Sequence, residues 1–364
     1  MAEHDINTRY FEILSELFLG SKKEAAALNK YARVRHTQHE ILLLGRGFSL
    51  NEISSSLKRY FERRFLPEGV TIKTATTKQM KEAQTRLYYA VNEGCYNRCF
   101  RLVNELNSVL NEAKLTTIDS IERFLNYFTF DYKIVKDEFG RIKYEPYHSE
   151  PVLIFFDEWH RKSFASEIRN LKRERLMLSF DEIYEIIKIK RRGRRGGPDT
   201  QEYFALIDQL FFGPGSAVEN FIMMRRALFA AQSFRSGISR SSISSSSIKY
   251  FEKHFLPLGV TMKKATREQI DEGCAQLQFA MDSDGRERCY YLMERLDDIL
   301  IKNGLRLIGR DTKGFIQSYS LESDFLRKAF VRELRNLKRE NLMLSVLYVY
   351  DILGIKNRRC SEET

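Results

Sequence analysis

Two basic triads have the residue types and spacing needed to bind phosphate groups: Arg169, Lys172 and Arg173 in the first half of the chain, and Arg335, Lys338 and Arg339 in the second half. Each triad occupies positions i, i+3 and i+4, so on a helix its side chains would share one face. Neither triad has an acidic residue three or four positions away. Something outside the helix must therefore compensate the charge, whether an acidic surface of the same protein, solvent and salt, or an anionic ligand.

Further candidate phosphate contacts lie in residues 188–199 and near the C-terminus: Lys190, Arg191, Arg192, Arg194, Arg195, Lys356, Arg358 and Arg359. Residues 188–199 carry +5 of the net charge of +11. Their glycines and proline oppose a continuous helix, so an exposed and mobile basic linker is expected. A solubilising hinge, a nuclear localisation signal, a phosphate-binding arm and a processing site are alternative interpretations of this linker.

Catalytic and metal-binding patterns are weak by comparison. Residues 157–160, Asp-Glu-Trp-His, are the only cluster that resembles an acid–base or metal site, and acids that stabilise a helix N-terminus are the favoured explanation. Cys95 and Cys99 have helical spacing, but Gly285 stands where a second copy of Cys95 would be. We therefore predict no catalytic residue, no metal site and no cofactor, and an enzymatic activity is not favoured.

The basic triads belong to a sequence that is written twice. Residues 60–80 and 250–270 are identical at 13 of 21 positions, with an offset of 190. Residues 164–179 and 330–345 are identical at 12 of 16 positions, with an offset of 166, so the first copy carries about 24 additional residues. This pattern predicts a first copy over 1–187, a basic linker over 188–199 and a second copy over 200–364.

Each copy has the periodicity of helices. A capping-box pattern at 49–52 and apolar residues at helical spacing up to Phe65 predict one helix of about four turns. Residues 99–110 place an apolar stripe on one face, and residues 289–300 repeat it. The additional residues of copy one predict a β-hairpin near 126–156, with a third strand at 152–156. The predicted fold is mainly α, with two tandem copies of a duplicated helical unit, the first with a β-hairpin insertion, joined by a basic linker.

The composition limits the class of protein. With 364 residues, of which 43% are hydrophobic and 30% charged, the chain can form folded domains. No apolar run reaches the roughly 20 residues of a membrane span, and the first residues lack the pattern of a signal peptide. Five cysteines without framework spacing are typical of a reducing compartment. We therefore expect a soluble intracellular protein, cytoplasmic or nuclear, that does not bind a membrane.

Three function classes follow from these features. The charge placement favours a non-enzymatic nucleic-acid-binding protein that contacts phosphates, with RNA or single strands preferred; Tyr60 and Tyr250, beside Arg59 and Lys249, are candidate base-stacking residues. A helical adaptor that docks on an acidic protein partner is the alternative. A hydrolase or nuclease that uses the copy-one insertion comes last. Six phosphate contacts would give a salt slope of about −5.

Overall fold

The computed structural model describes residues 2–21, 24–45, 48–128, 132–136, 142–146, 158–213, 215–239, 243–305 and 312–358. The described chain is mainly helical, with two small two-stranded antiparallel sheets. It divides into two compact units, unit 1 over Met1–Ile187 and unit 2 over Lys188–Thr364. Within the described ranges, no helix is both long enough and apolar enough to span a bilayer.

Unit 1 is built from helices and one hairpin. Its helices are α1 (Ala2–Leu14), α2 (Ala27–Leu44), α3 (Ser55–Phe65), α4 (Thr77–Tyr89), α5 (Asn97–Glu112), α6 (Ile121–Phe128), α7 (Glu158–Glu174) and α8 (Phe180–Lys190), the last of which ends just beyond the unit. π-helical turns at Ser15–Leu19 and Ala90–Tyr96 follow α1 and α4. Strand β1 (Tyr132–Lys136) pairs antiparallel with β2 (Ile142–Pro146). These strands lie where the hairpin is predicted, and the third predicted strand at 152–156 falls outside the described residues.

Unit 2 begins with a short strand and continues with helices. The strands are β3 (Arg194–Arg195) and β4 (Leu342–Met343), which pair antiparallel. The helices are α9 (Pro198–Phe211), α10 (Ala217–Arg235), α11 (Ser245–Phe255), α12 (Arg267–Ala280), α13 (Glu287–Lys302), α14 (Thr312–Leu321), α15 (Asp324–Glu340) and α16 (Val346–Asn357). A π-helical turn at Met281–Arg286 joins α12 to α13.

Segments that match in sequence form elements of the same type. Helices α3 and α11 each have 11 residues, and both end before a Leu-Pro pair. Thr76 and Thr266 each close a capping box at the start of the following helix, which satisfies backbone N–H groups that the helix leaves unpaired. The carboxylates of Glu62 and Glu252 accept bonds from the backbone N–H groups ten residues later. The same local bonds therefore fix the same turns in both units.

The apolar stripes form the cores, as the sequence predicts. The stripe residues of the two units are buried: Cys99, Leu102, Val103, Leu106 and Leu110 in α5, and Cys289, Leu292, Met293, Leu296 and Leu300 in α13. In each unit a buried tyrosine anchors the first helix to the segment after the long basic helix. The Tyr10 hydroxyl donates to the Leu178 carbonyl at 2.7 Å, and the Tyr203 hydroxyl to the Leu344 carbonyl at 3.0 Å.

Residues 188–199, the predicted basic linker, comprise the end of α8, strand β3 and the start of α9, with turns between them. Lys190 completes α8, β3 pairs with β4, and Pro198 begins α9. Gly193 packs so closely on β4 that a Cβ there would stand 2.7 Å from the Met343 carbonyl oxygen. The glycines of this stretch therefore allow a tight turn against β4, a role that composition alone does not separate from flexibility.

Candidate functional site

A cavity of about 760 Å³ lies in unit 1 among the π turn after α1 and the helices α2, α3 and α7. Its apolar lining includes Phe18, Leu28 and Ala32, all of which are buried. Its ionisable lining consists of Arg33 and His36 from α2 and of Arg161, Lys162 and Arg169 from α7. Of the described residues that line the cavity, none is acidic.

The packing of α7 directs these cations towards the cavity. Phe164, Ile168 and Leu171 are fully buried and hold the helix on the core, and the Phe164 ring lies 4.6 Å from the ring of Phe18. Arg161, Ala165 and Arg169 follow at intervals of four residues, so they share a face that borders the buried stripe. Arg169 is therefore exposed at the cavity while its helix is firmly anchored.

The titration of His36 reports the electrostatic environment of the cavity. Burial lowers the pKa of His36 to about 4, and repulsion from Arg161, His39 and Arg35 acts in the same direction. The imidazole is therefore neutral at pH 7. The positive charge of the described cavity lining at pH 7 therefore comes from Arg33, Arg161, Lys162 and Arg169.

A second cavity of about 510 Å³ adjoins the first. Its lining comes from α2 and α3: Arg33, Ser56, Arg59, Tyr60, Arg63 and Arg64. Arg33 and Ser56 line both cavities, so the two form one continuous region of unit 1. The Arg33 guanidinium stands 4.3 Å from the centre of the Tyr60 ring, which holds the arginine by a cation–π contact. One face of Tyr60 is thus occupied by Arg33, which leaves less of the ring for base stacking than the sequence suggests.

The basic side chains of the two cavities are here called the unit 1 basic surface: Arg33, Arg59, Arg63, Arg64, Arg161, Lys162 and Arg169. Among the described residues, no carboxylate forms a salt bridge with the exposed members Arg33, Arg59, Arg63, Arg64 and Arg169. Nearby acids have other partners. The Glu40 carboxylate accepts from the Ser54 N–H at 2.8 Å, and Glu16 pairs with Arg98 at 2.8 Å.

Unit 2 has a cavity at the corresponding place, with a volume of about 570 Å³. Phe211, Val218, Arg327, Lys328 and Arg335 line it at the positions that correspond to Phe18, Leu28, Arg161, Lys162 and Arg169. This second cavity also contains acids.

Two carboxylates, those of Glu219 and Asp324, line the cavity of unit 2. Asp324 accepts a bond from Arg226 at 2.8 Å and another from Arg327. Burial lowers the pKa of Arg327, and the neighbouring Arg226 lowers it further. The unit 2 lining thus combines two acids with five basic residues, whereas the described lining of the larger unit 1 cavity has no acid. The basic residues of the unit 2 cavity are Arg226, Arg327, Lys328, Arg332 and Arg335.

The two predicted triads also differ between the units. The Lys172 ammonium lies 3.4 Å from the Ser15 hydroxyl, whereas Lys338 forms an ion pair of 2.5 Å with Asp208. Ser15 and Asp208 occupy corresponding positions in the matching segments 10–20 and 203–213. An acid from another helix therefore neutralises the lysine of unit 2, and a serine replaces that acid in unit 1.

The arginines of the triads are exposed but have local contacts. Arg173 donates to the side-chain oxygen of Asn170, and Arg339 to that of Asn336 at 2.9 Å. Arg335 lies 5.2 Å from the Phe212 ring. Arg169 is the triad residue that points into a cavity without a described acid.

Two predicted phosphate contacts are buried, which corrects their assignment. The Lys190 ammonium lies 2.8 Å from Glu340 and 3.4 Å from Glu333, and the Lys356 ammonium lies 2.7 Å from Glu333. All four side chains are at least 95% buried. Lys190 and Lys356 therefore compensate interior carboxylates of unit 2, since a buried charge requires a close partner.

The remaining predicted cations have varied positions. Arg191, Arg192, Arg194 and Arg195 are exposed, and Arg192 lies 5.2 Å from the ring of Tyr348. Arg358 is exposed at the end of α16. Arg359, Asp157 and the side chain of Glu158 lie outside the described residues.

The sequence prediction missed most of the unit 1 basic surface because it rested on the repeated block that contains the triads, whereas Arg33, Arg59, Arg63 and Arg64 lie on other helices. At the offset of 190, Arg59 and Arg63 correspond to Lys249 and Lys253, which are also basic, whereas Arg33 and Arg64 correspond to Met223 and His254. Arg59 and Arg63 share a helix face at i and i+4, which is the sequence signal that could have found them.

Neither metal nor thiol chemistry gains support from the described residues. No group of three His, Cys, Asp or Glu side chains in the described ranges is placed to hold a metal ion. Burial raises the pKa of the Cys99 thiol to about 12, which keeps it protonated. Comparison of the chain with protein-family models, with curated proteins and with solved structures found no match.

Proposed function

We propose that this protein binds nucleic acid without a chemical step, contacting the phosphates of RNA or of single strands mainly through the unit 1 basic surface. The observation that carries this proposal is the pair of adjoining cavities lined by arginines, with no acid among their described lining residues. Basic surfaces attract polyanions, and a concave shape strengthens their positive electrostatic potential.

The residue types support phosphate as the group that is bound. Six of the seven cations of the unit 1 basic surface are arginines. The guanidinium group presents several N–H donors in a planar fork that matches two phosphate oxygens, and it keeps its charge at every physiological pH. A strand that crosses α3 would meet Arg59 and Arg63, which lie one helical turn apart.

We further propose that the chain arose by duplication of one helical unit and that the two copies have diverged in function. At the corresponding positions of unit 2, acids line the cavity and Asp208 pairs with Lys338. Unit 2 would then contribute less binding free energy. The exposed Arg191, Arg192, Arg194 and Arg195 remain candidates for secondary phosphate contacts.

Titration of the full-length protein against labelled single- and double-stranded RNA and DNA, at two salt concentrations, tests this function. We expect binding that weakens steeply with salt, with a slope near −0.7 for each phosphate contacted on a single strand. Arg169→Glu should weaken binding to every sequence by about tenfold, because it replaces an attractive contact with a repulsive one. Arg335→Glu, at the corresponding position of unit 2, is the matched control and should have a smaller effect.

The adaptor alternative predicts a different result in the same titration. A helical scaffold that docks on an acidic protein would bind none of the four nucleic acids at 50 to 100 mM salt, although its fold is intact. Equal losses from Arg169→Glu and Arg335→Glu would keep nucleic-acid binding but refute the assignment to unit 1.

A further inference from the structure

A further cavity of unit 1, with a volume of about 620 Å³, lies between α2 and α4 and is here called the α2–α4 cavity. It shares no lining residue with the two basic cavities. Its volume lies within the range of about 300–1,000 Å³ that is typical of small-molecule sites. The phosphate contacts proposed above do not use this cavity, although its lining has the residue types that bind an unpaired base.

The α2–α4 cavity has an apolar wall and an exposed aromatic ring. Ile41 and Leu87 are buried and form the wall, whereas Tyr88 is 56% exposed. The rings of Tyr88 and Tyr89 form an edge-to-face pair with their centres 6.2 Å apart. A flat ring beside an apolar wall can stack on a base, because every base has an aromatic face.

Two glutamines also give this cavity polar groups. Gln38 on α2 and Gln84 on α4 are partly buried, and neither side-chain amide bonds to a described residue. An amide offers one acceptor oxygen and two N–H donors, which match the neighbouring donors and acceptors on the edge of a base. The two amides favour a base over an apolar peptide side chain, because an apolar side chain would leave them unpaired.

The charge of the lining also favours a nucleotide. Lys81 lines the cavity, is exposed and forms no ion pair with a described residue. No acid occurs among the described lining residues of the cavity. An ammonium group at this place can contact the phosphate that is attached to a bound base.

The corresponding positions of unit 2 lack the ring, both amides and the cation. At the offset of 190, Gln38, Lys81, Gln84 and Tyr88 correspond to Leu228, Asp271, Cys274 and Gln278. Asp271 pairs with Arg235 at 3.0 Å, so an acid with its own partner stands where unit 1 has a lysine. This combination of residues therefore belongs to unit 1, which also has the basic surface.

Helix α2 borders the α2–α4 cavity and both basic cavities. Gln38 follows Arg33 by five residues, which corresponds to about 7.5 Å along the helix axis and about 140° around it. A ligand that contacts both residues must therefore bend around α2. A single strand can bend in this way, whereas a duplex, with a persistence length of about 150 base pairs, is too stiff.

We infer that the α2–α4 cavity binds one unpaired base of a single strand, which stacks on Tyr88 while its edge pairs with the amides of Gln38 and Gln84. This inference rests on the proposed function and deepens it, because it names the contact that makes a single strand the preferred ligand. Lys81 would contact the phosphate of the same nucleotide. The unit 1 basic surface would contact phosphates elsewhere on the strand.

Fluorescence anisotropy on the full-length protein, at two salt concentrations, tests the inference. The ligands are a labelled single strand of ten nucleotides and the same strand with every base replaced by an abasic unit, each made as RNA and as DNA. The intact and abasic strands carry the same phosphates, so the difference between their affinities measures the bases alone. We expect the intact strand to bind about tenfold more tightly than the abasic strand, as the stacking of one base on an aromatic side chain provides.

Substitutions of exposed aromatic residues locate the contact. Tyr88→Ala should weaken the intact strand about tenfold and leave both the abasic strand and the salt slope unchanged, because stacking involves no phosphate. Tyr88→Phe keeps a ring and should bind as the unchanged protein does. Phe279→Ala is the control, since Phe279 is a 74% exposed aromatic residue on α12 of unit 2. Circular dichroism checks that the variants remain folded.

The outcomes distinguish this inference from the proposed function. Equal binding of the intact and abasic strands overturns base binding, while nucleic-acid binding through phosphates stands. A Tyr88→Ala protein that loses affinity for both strands alike, or for neither, also overturns the inference. In the second case the α2–α4 cavity does not bind the strand, and a protein partner becomes its better candidate. Absence of binding to all four ligands removes both the inference and the proposed function.

Discussion

At the scale of single residues, one difference between the matching segments 10–20 and 203–213 decides whether a lysine has an acidic partner. Lys172 and Lys338 extend from corresponding helices towards corresponding positions, which hold Ser15 in unit 1 and Asp208 in unit 2. An exposed ion pair contributes little to stability, about 0 to 1 kcal/mol, but it removes a cation from the set that can meet a phosphate. The two contacts can therefore be exchanged at low cost to the fold.

We predict that Ser15→Asp weakens nucleic-acid binding about two- to fivefold and reduces the salt slope by about one, because Lys172 becomes paired. Asp208→Ser should have the opposite effect by releasing Lys338. Anisotropy titrations at several salt concentrations measure both changes. Melting temperatures should stay nearly constant, and a loss of binding in both variants would contradict this explanation.

A second residue-scale prediction concerns His36. Its pKa in the folded protein, about 4, lies below the ordinary value of 6.5, so between these values the unfolded chain binds a proton that the folded chain does not. His36 therefore does not reduce the free energy of unfolding above pH 6.5, and it lowers this free energy progressively as the pH falls towards 4. The loss amounts to about 3 kcal/mol for a shift of this size.

Denaturant unfolding at pH 7 and at pH 4.5 measures this effect. For the unchanged protein, the free energy of unfolding should decrease between the two pH values. For His36→Gln this decrease should be smaller by about 2 to 3 kcal/mol, because glutamine does not titrate. His254→Gln is the control, since His254 stands on α11 of unit 2. An NMR titration of His36 with a pKa near 6.5 would refute the burial argument.

Residue-scale reasoning from the sequence failed for Lys190 and Lys356 for a definite reason. These two lysines were predicted as phosphate contacts because each begins a basic segment that follows the repeated block. Glu333 and Glu340 lie on α15, whereas Lys190 ends α8 and Lys356 ends α16. Packing between helices brings these charges together, and helical spacing along one segment carries no information about it.

At the scale of secondary-structure elements, the sequence predicted helix type and buried faces well and boundaries less well. The capping box of Ser49 and Glu52 forms as predicted, but it starts a single 3₁₀ turn. The chain is extended at Ile53, whose side chain is buried, and the Ser54 N–H donates to Glu40 on α2. A long-range bond therefore breaks the predicted four-turn helix, and α3 begins at Ser55.

The contact between α11 and α12 provides an element-scale prediction. A Cβ at Gly273 would stand 2.6 Å from the Phe255 carbonyl oxygen and 2.9 Å from the Phe251 ring, both on α11. Gly273→Ala should therefore destabilise the protein by about 1 to 3 kcal/mol through overpacking, even though alanine favours a helix by about 1 kcal/mol.

The corresponding residue of unit 1 serves as the control. Ala83 is buried at the matching position of α4, so that helix already accommodates a methyl group. Ala83→Gly should cost about 1 to 2 kcal/mol, from lost helix propensity and lost burial. Urea unfolding measures both variants, and a Gly273→Ala protein that is more stable than the parent would show that α11 and α12 can separate without cost.

At the scale of the whole molecule, the positions of the charged side chains indicate a binding surface better than the net charge does. The net charge of +11 indicated a polyanion partner, yet two of the candidate cations compensate buried acids and one pairs with Asp208. Arg59 and Arg63, in contrast, belong to a surface that the sequence had suggested only through their neighbour Tyr60. The sequence therefore predicted a helical, two-copy chain with excess charge, whereas the cavities depend on side chains from three helices and could not be located without packing.

Paired charge reversals distinguish a local surface from a general attraction. Arg59→Glu with Arg63→Glu in unit 1, and Lys249→Glu with Lys253→Glu in unit 2, change corresponding positions on α3 and α11 and lower the net charge by the same amount. If the net charge alone drives binding, both double variants should lose the same affinity, because long-range attraction depends on the net charge.

We expect the unit 1 variant to lose at least tenfold more affinity than the unit 2 variant and to have the smaller salt slope. The reason is that direct phosphate contacts release counterions, whereas distant charges release few. Equal losses in the two variants would place the interaction outside the two cavities of unit 1.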